Sequence, residues 1–117
     1  MDRQQLIQKF SHIAPVKNVG QSYKYSDTPY IVLKAMKDER DVGNSFGGFQ
    51  RYNLLCYVPD TSTKILDNLV TAVKNRVFEL QGEGIEYIGS VGEDFHDTEI
   101  NMYMRYVEIR VPHQANM

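Results

Sequence analysis

The densest set of chemistry-bearing side chains lies in "GEDFHDTE", residues 92–99, where Glu93, Asp94, His96, Asp97 and Glu99 fall together. Carboxylates and an imidazole at this density are the residue types of metal sites and of acid–base pairs. Their spacing argues otherwise. It matches neither a calcium loop nor a zinc motif, and adjacent carboxylates in a tight turn point apart into water. The expectation is a solvated hairpin turn, with no catalytic residue, no metal and no cofactor assigned. His12 and His113 stand in distant segments, and none of the three histidines has a Ser or Cys placed beside it by sequence. The single cysteine, Cys56, lies in an apolar strand pattern without an activating neighbour, so it reads as a small core residue rather than a nucleophile.

A second concentration is "DERDVGNSFGGFQR", residues 38–51. Asp38, Glu39, Arg40 and Asp41 are set against Gly43, Asn44, Gly47 and Gly48, with Phe46 and Phe49 among them and Arg51 just beyond. The glycines suggest a phosphate cradle, but the Lys-Ser/Thr ending of a P-loop is missing and the segment runs into a strand rather than a helix. The acidic side chains would also repel a phosphate before backbone donors reached it. Exposed rings between glycine hinges suit a loop that orders on a protein partner, where burying a Phe offsets the entropy of ordering a flexible segment. Asp38, Glu39, Arg40, Asp41, Phe46, Phe49 and Arg51 are therefore the candidate interface residues, with Phe46 and Phe49 as anchors. The alternative is that both rings fold back over their own sheet.

Composition limits the partners. The 117 residues fit one domain, 1–117, with a single modest core. A formal charge of -2 supplies no positive field for nucleic-acid backbones. Tyr23, Tyr25 and Tyr30 lack the basic groove that would make them a base-stacking platform. No apolar run is long enough to cross a bilayer as a helix, so no membrane partner is expected and the chain reads as cytosolic or assembled in the cytoplasm.

The elements that would hold these residues follow from periodicity. Leu6, Phe10 and Ile13 recur at helical intervals in "DRQQLIQKFSHI", up to the limit set by Pro15. The polar, turn-rich "VKNVGQSYKYSDTP" precedes a strand in "YIVLKAMK". In "FQRYNLLCYV", Tyr52, Leu54, Cys56 and Val58 share one face, and Arg51, Asn53, Leu55 and Tyr57 the other. Pro59, Asp60, Thr61, Ser62 and Thr63 signal a helix start before "KILDNLVTAVKNRVFEL", whose buried stripe is read as Ile65, Leu69, Val73, Val77 and Leu80. Gly82 and Gly84 stand where a left-handed cap is wanted. A short strand follows in "IEYIGSVGED". The last, in "EINMYMRYVEIRVPH", switches phase from Ile100, Met102, Met104 and Tyr106 to Val107, Ile109 and Val111, which predicts a bulge or a strand that meets a second partner. Pro112 ends that strand, and the tail "HQANM" is expected to be exposed. The pattern specifies an α+β domain: a mainly antiparallel sheet, two helices packed on one face, and a long β-hairpin loop.

Taken together, the "YIVLKAMKDERD" strand feeding a glycine-rich loop, "YNLLCYVPDTS" turning into an amphipathic helix, and the closing "EINMYMRYVEIRV" strand resemble the tail terminator and tail completion proteins of tailed phages and prophage-like elements. The likeness spans roughly residues 2 to 111 and consists of element lengths and residue classes without an invariant motif. It implies a structural, non-enzymatic neck protein of the virion, assembled in the host cytoplasm. Its partners would be itself, in a ring that is commonly hexameric, the tail tube protein and the head-side connector protein, with DNA only as cargo passing through. The ring would stop tube growth and offer a docking face to the head. The neighbouring readings are a head-completion or connector protein and a small protein-binding adaptor, with a metal-dependent enzyme at the acidic turn a distant third.

Overall fold

A computed structural model of the chain describes residues 3–18, 26–39, 49–60, 63–90 and 94–112. Helix α1 (Arg3–Phe10) sets Leu6 and Phe10 one turn apart on its buried face. It ends as the Ser11 N–H donates to the Ile7 carbonyl, and Pro15 follows, unable to continue it. Strand β1 (Val16–Asn18) comes next, then β2 (Tyr30–Glu39), β3 (Phe49–Pro59), helix α2 (Thr63–Glu79), a single 3-10 turn at Gln81–Glu83, β4 (Glu86–Ser90), β5 (Phe95–Asp97) and β6 (Met102–Pro112).

The sheet runs in the order β1-β2-β3-β6-β4, with β5 also beside β6. Every pair is antiparallel except β1 with β2, so the expected α+β fold with a mainly antiparallel sheet is the observed one. β4 and β5 occupy successive stretches of the same outer side of β6, opposite Val107–Arg110 and Met102–Met104. That edge is one strand line interrupted in the middle.

Both helices lie on one face. Leu6 and Phe10 from α1 and Leu66, Leu69, Val70, Val73 and Val77 from α2 form one core with Ile31, Leu33, Tyr52, Leu54, Cys56, Val58, Val107, Ile109 and Val111. Each fully buried Leu, Val or Ile contributes about 1.5–3 kcal/mol through the apolar area it removes from water. The other face carries a smaller cluster of Tyr30, Val32, Tyr57 and Met102, with Leu55, Ile100 and Met104 packed against it. The alternation read in β3 thus divides as expected, Tyr52, Leu54, Cys56 and Val58 toward the helices and Leu55 and Tyr57 away.

Several local expectations are corrected. Val16–Asn18, read as part of a polar turn-rich stretch, forms a strand parallel to Ile31–Leu33. Three residues beside a buried partner need no alternation of their own, so no pattern marks them. Ile65 is not on the α2 stripe: it is 40% exposed, while Leu66, one position on, is buried. The phase switch in β6 is not a bulge in its pairing with β3, which holds one register from Phe49↔Pro112 to Pro59↔Met102. Val107, Ile109 and Val111 face the helices, and Met102 and Met104 join the second cluster, so each phase is buried on its own side of the sheet. The register shifts fall elsewhere, between Ala35 and Asp38 where β2 pairs with β3, and between Tyr87 and Gly89 where β4 pairs with β6. Of the two glycines after α2, Gly84 adopts the left-handed conformation (φ 96°), and its N–H donates to the Gln81 carbonyl; Gly82 lies within the 3-10 turn.

Candidate interaction surface

The glycine-rich connection emerges from a paired stem. β2 and β3 remain hydrogen-bonded neighbours up to Asp38↔Gln50 and Glu39↔Phe49, so the two ends of residues 40–48 are held side by side. Of the candidate interface residues, Asp38 and Glu39 belong to β2, while Phe49 and Arg51 open β3. Arg40, Asp41 and Phe46, with Gly43, Asn44, Gly47 and Gly48, lie outside the described residues.

Phe49 is half-buried, and the guanidinium of Arg110 sits 4.1 Å above its ring centroid. Arg110 in turn donates from Nε to Glu86 Oε2 at 2.5 Å, which fixes its plane over the ring. One step along β3, Arg51 Nη1 donates to Glu108 Oε1 at 3.3 Å. Between these pairs and the apolar cluster stands Asn53, buried, with its Oδ1 lacking a hydrogen-bond partner. Gln50 Nε2 bridges the Met36 and Arg51 carbonyls at 2.7 and 3.0 Å, closing the bulged part of β2 onto β3. Phe49 and Arg51 are thus built into the stem through side chains of β4 and β6.

The acidic segment is not gathered into a site. Phe95–Asp97 is a strand, and the turn proper falls at residues 98–101, where the Glu99 N–H donates to Asp97 Oδ1 at 3.0 Å and Asn101 takes a positive φ of 54°. Strand geometry sends His96 and Asp97 to opposite faces. His96 Nε2 lies 3.3 Å from Asp60 Oδ2, and Asp94 lies 3.9 Å from Arg105 Nε, whose Nη1 also reaches Asp67 Oδ1 at 2.9 Å. Glu93 is outside the described residues, as are His113 and the tail; His12 lies exposed in the turn after α1. Among the described residues, no three His, Cys, Asp or Glu side chains could hold a metal ion.

Cys56 is fully buried on the helix face, and burial pushes its thiol up to about 12, against a smaller opposing pull from Arg105. Its Sγ contacts the Leu54 carbonyl at 3.6 Å. A thiol held protonated in this way is a packing group, not a nucleophile. Tyr30 is also buried, stacked on Tyr57 at 5.1 Å with Lys17 Nζ 4.4 Å over its ring, so it offers no open face to a base. Tyr23 and Tyr25 lie outside the described residues. No described helix is long and apolar enough to cross a membrane.

Two surfaces at opposite ends of α2 were not among the sequence candidates. At its C-terminal end Phe78 is 51% exposed, with Tyr87 at 5.4 Å and Ile88, 37% exposed, following in β4. At its N-terminal end an open, largely apolar groove of about 460 Å³ is lined by Ile13, Pro15, Pro29, Ile65, Leu69 and Ala72. One signal was available: Phe78 breaks the polar face of an amphipathic helix whose stripe passes through Val73, Val77 and Leu80. The groove had none, because it is made where three segments meet. No protein-family model and no curated protein matches the chain, so the geometry carries the functional argument.

Proposed function

We propose that the chain is a structural neck protein of a tailed phage or prophage-like element. In this reading it forms a ring, taken as hexameric, on the end of the tail tube, ends tube growth there, and presents a docking face to the head-side connector. Its role is mechanical, with no reaction assigned to it.

The observation that carries the reading is the stem. A β-hairpin paired to its last described residues, braced by the Phe49–Arg110–Glu86 stack and the Arg51–Glu108 pair, holds both ends of residues 40–48 at a fixed place. A rigid base of this kind lowers the ordering cost when a connection engages a neighbour. The helix-on-sheet domain supports the reading by carrying unlike surfaces at the two ends of α2, the exposed Phe78 and the groove beside Ile65, and unlike surfaces are what head-to-tail closure into a ring requires.

The test is tube-length control. Tail tube protein polymerised with the purified chain should give tubes of arrested length, and the chain should co-sediment with them in substoichiometric amounts. Unaltered elongation with no co-sedimentation would contradict the proposal. Binding to isolated connectors without binding to tubes would move the protein to the head side of the neck.

A further inference from the structure

Helix α2 carries one charge against its dipole at each end, Lys64 and Glu79, although Arg76 in its last turn is placed with the dipole. Lys64 stands in the first turn, where the free N–H groups already make the end positive, and that turn holds no acidic residue. Glu79 ends the helix beside the free carbonyls, and it is 65% exposed, with a loose 3.7 Å contact to Arg76. The first turn, which has no acidic residue of its own, would gain from meeting a carboxylate, and Glu79, met only loosely by Arg76, would gain from meeting a further cation. Each is also next to exposed apolar surface, Lys64 beside Ile65 and the groove, Glu79 beside Phe78.

The two surfaces are unlike, one a projecting ring and one a recess. Ile65 and Phe78 are thirteen positions apart, about 20 Å along a helix. Two unlike, complementary surfaces on one molecule define a head-to-tail contact, which closes into a ring when the rotation between copies permits. The strand edge near Phe78 is unsuited to pairing with a second strand. β4 is irregular between Tyr87 and Gly89 and the line breaks before β5, and interrupted, irregular edges resist strand addition. Side chains must therefore make the seam.

We propose that a second copy of this chain seats its Phe78, backed by Tyr87 and Ile88, in the groove beside Ile65, and that its Glu79 meets Lys64 across the seam. Successive α2 helices then follow one another C-terminus to N-terminus, so their dipoles align favourably as well. This rests on the ring reading and names the surfaces that build the ring.

The test uses the whole chain in sedimentation velocity, with Ile65→Asp, Phe78→Asp and, as a control at an exposed ring outside both surfaces, Phe95→Asp (Phe95 is 54% exposed). Thermal melting of each variant should match the parent. Ile65→Asp and Phe78→Asp should each weaken self-association by roughly 30-fold or more, the loss typical of a central anchor, and Phe95→Asp should leave it unchanged. An equimolar mixture of the two disrupted variants should form dimers and nothing larger, because only one intact ring surface and one intact groove remain per pair. Lys64→Glu and Glu79→Lys should each weaken association and together restore it. Rings that form normally in both Asp variants would overturn the seam while leaving the ring reading standing, as would equal disruption by Phe95→Asp. A parent that stays monomeric both in solution and on tube ends would overturn the two together.

Discussion

The two faces of the sheet are apolar for different lengths and against different neighbours. Toward the helices, β3 and β6 present Tyr52, Leu54, Cys56, Val58, Val107, Ile109 and Val111 in an apolar layer that runs up to Arg105, which reaches Asp67 of α2. On the other face the apolar residues stop halfway: Tyr30, Val32, Tyr57 and Met102 give way to Asn53, the Arg51–Glu108 pair and the Phe49–Arg110–Glu86 stack. The first face is a folding core. The second is a core at one end and a charged, braced platform at the end from which the β2–β3 connection leaves. Since both are built on alternate residues of the same strands, a substitution one position along a strand moves its effect from one face to the other.

The largest effect should come from charging the helix face. Val73 is fully buried, so Val73→Asp would leave a carboxylate without a partner and cost roughly 4 kcal/mol or more. Urea unfolding should show a collapsed midpoint; an unchanged one would contradict the helix-on-sheet core. Met102 tests the other face. It too is fully buried, in the smaller cluster, and Met102→Ala should cost about 2–3 kcal/mol. A loss below about 0.5 kcal/mol, the range of ordinary surface changes, would show that this cluster is not a second core.

Much of this division was legible in the sequence. The two-faced alternation of "FQRYNLLCYV" specified which side chains of β3 meet the helices, whereas the two phases of "EINMYMRYVEIRV", read as a bulge or a second partner, prove to be the two buried sides of β6. The sequence could not say that those phases belong to one unbroken register, because pairing is set by the partner strand. β1 was hidden for the same reason: Val16–Asn18 is a strand only because Ile31–Leu33 lies beside it. Ile65 fitted the helical period as well as Leu66 did, and only the placement of α1 and the turn before β2 put one at an open groove and the other in the core. Of the candidate interface, Phe49 and Arg51 are held in the stem, while Arg40, Asp41 and Phe46 fall outside the described residues.

Smaller effects sharpen the comparison. Cys56, on the helix face, keeps its proton in the folded state up to about pH 12, whereas an unfolded thiol loses it near 8.5. Between those values the unfolded chain binds fewer protons, so this group's contribution is intact below the lower value. It falls by up to about 1.4 kcal/mol per pH unit as pH rises. Urea midpoints measured from neutral to alkaline pH should fall more steeply for the parent than for Cys56→Ala; parallel slopes would place the thiol in water. The smallest effect belongs to the charged face. Arg51 and Glu108 are partly exposed, so a double-mutant cycle to Ala should give a coupling below about 1 kcal/mol. A coupling several times larger would mean that this pair is part of a core rather than a platform.

The ring on the tube end is the claim on which the rest depends, and electron microscopy of the purified chain mixed with tail tubes reaches it most directly. The account predicts tubes closed at one end by an added ring, resolving in end-on averages to six-fold symmetry with the β2–β3 stems directed at the tube or at the adjacent subunit. Tube ends indistinguishable from those without the protein, at concentrations where the chain is folded and in excess, would contradict it.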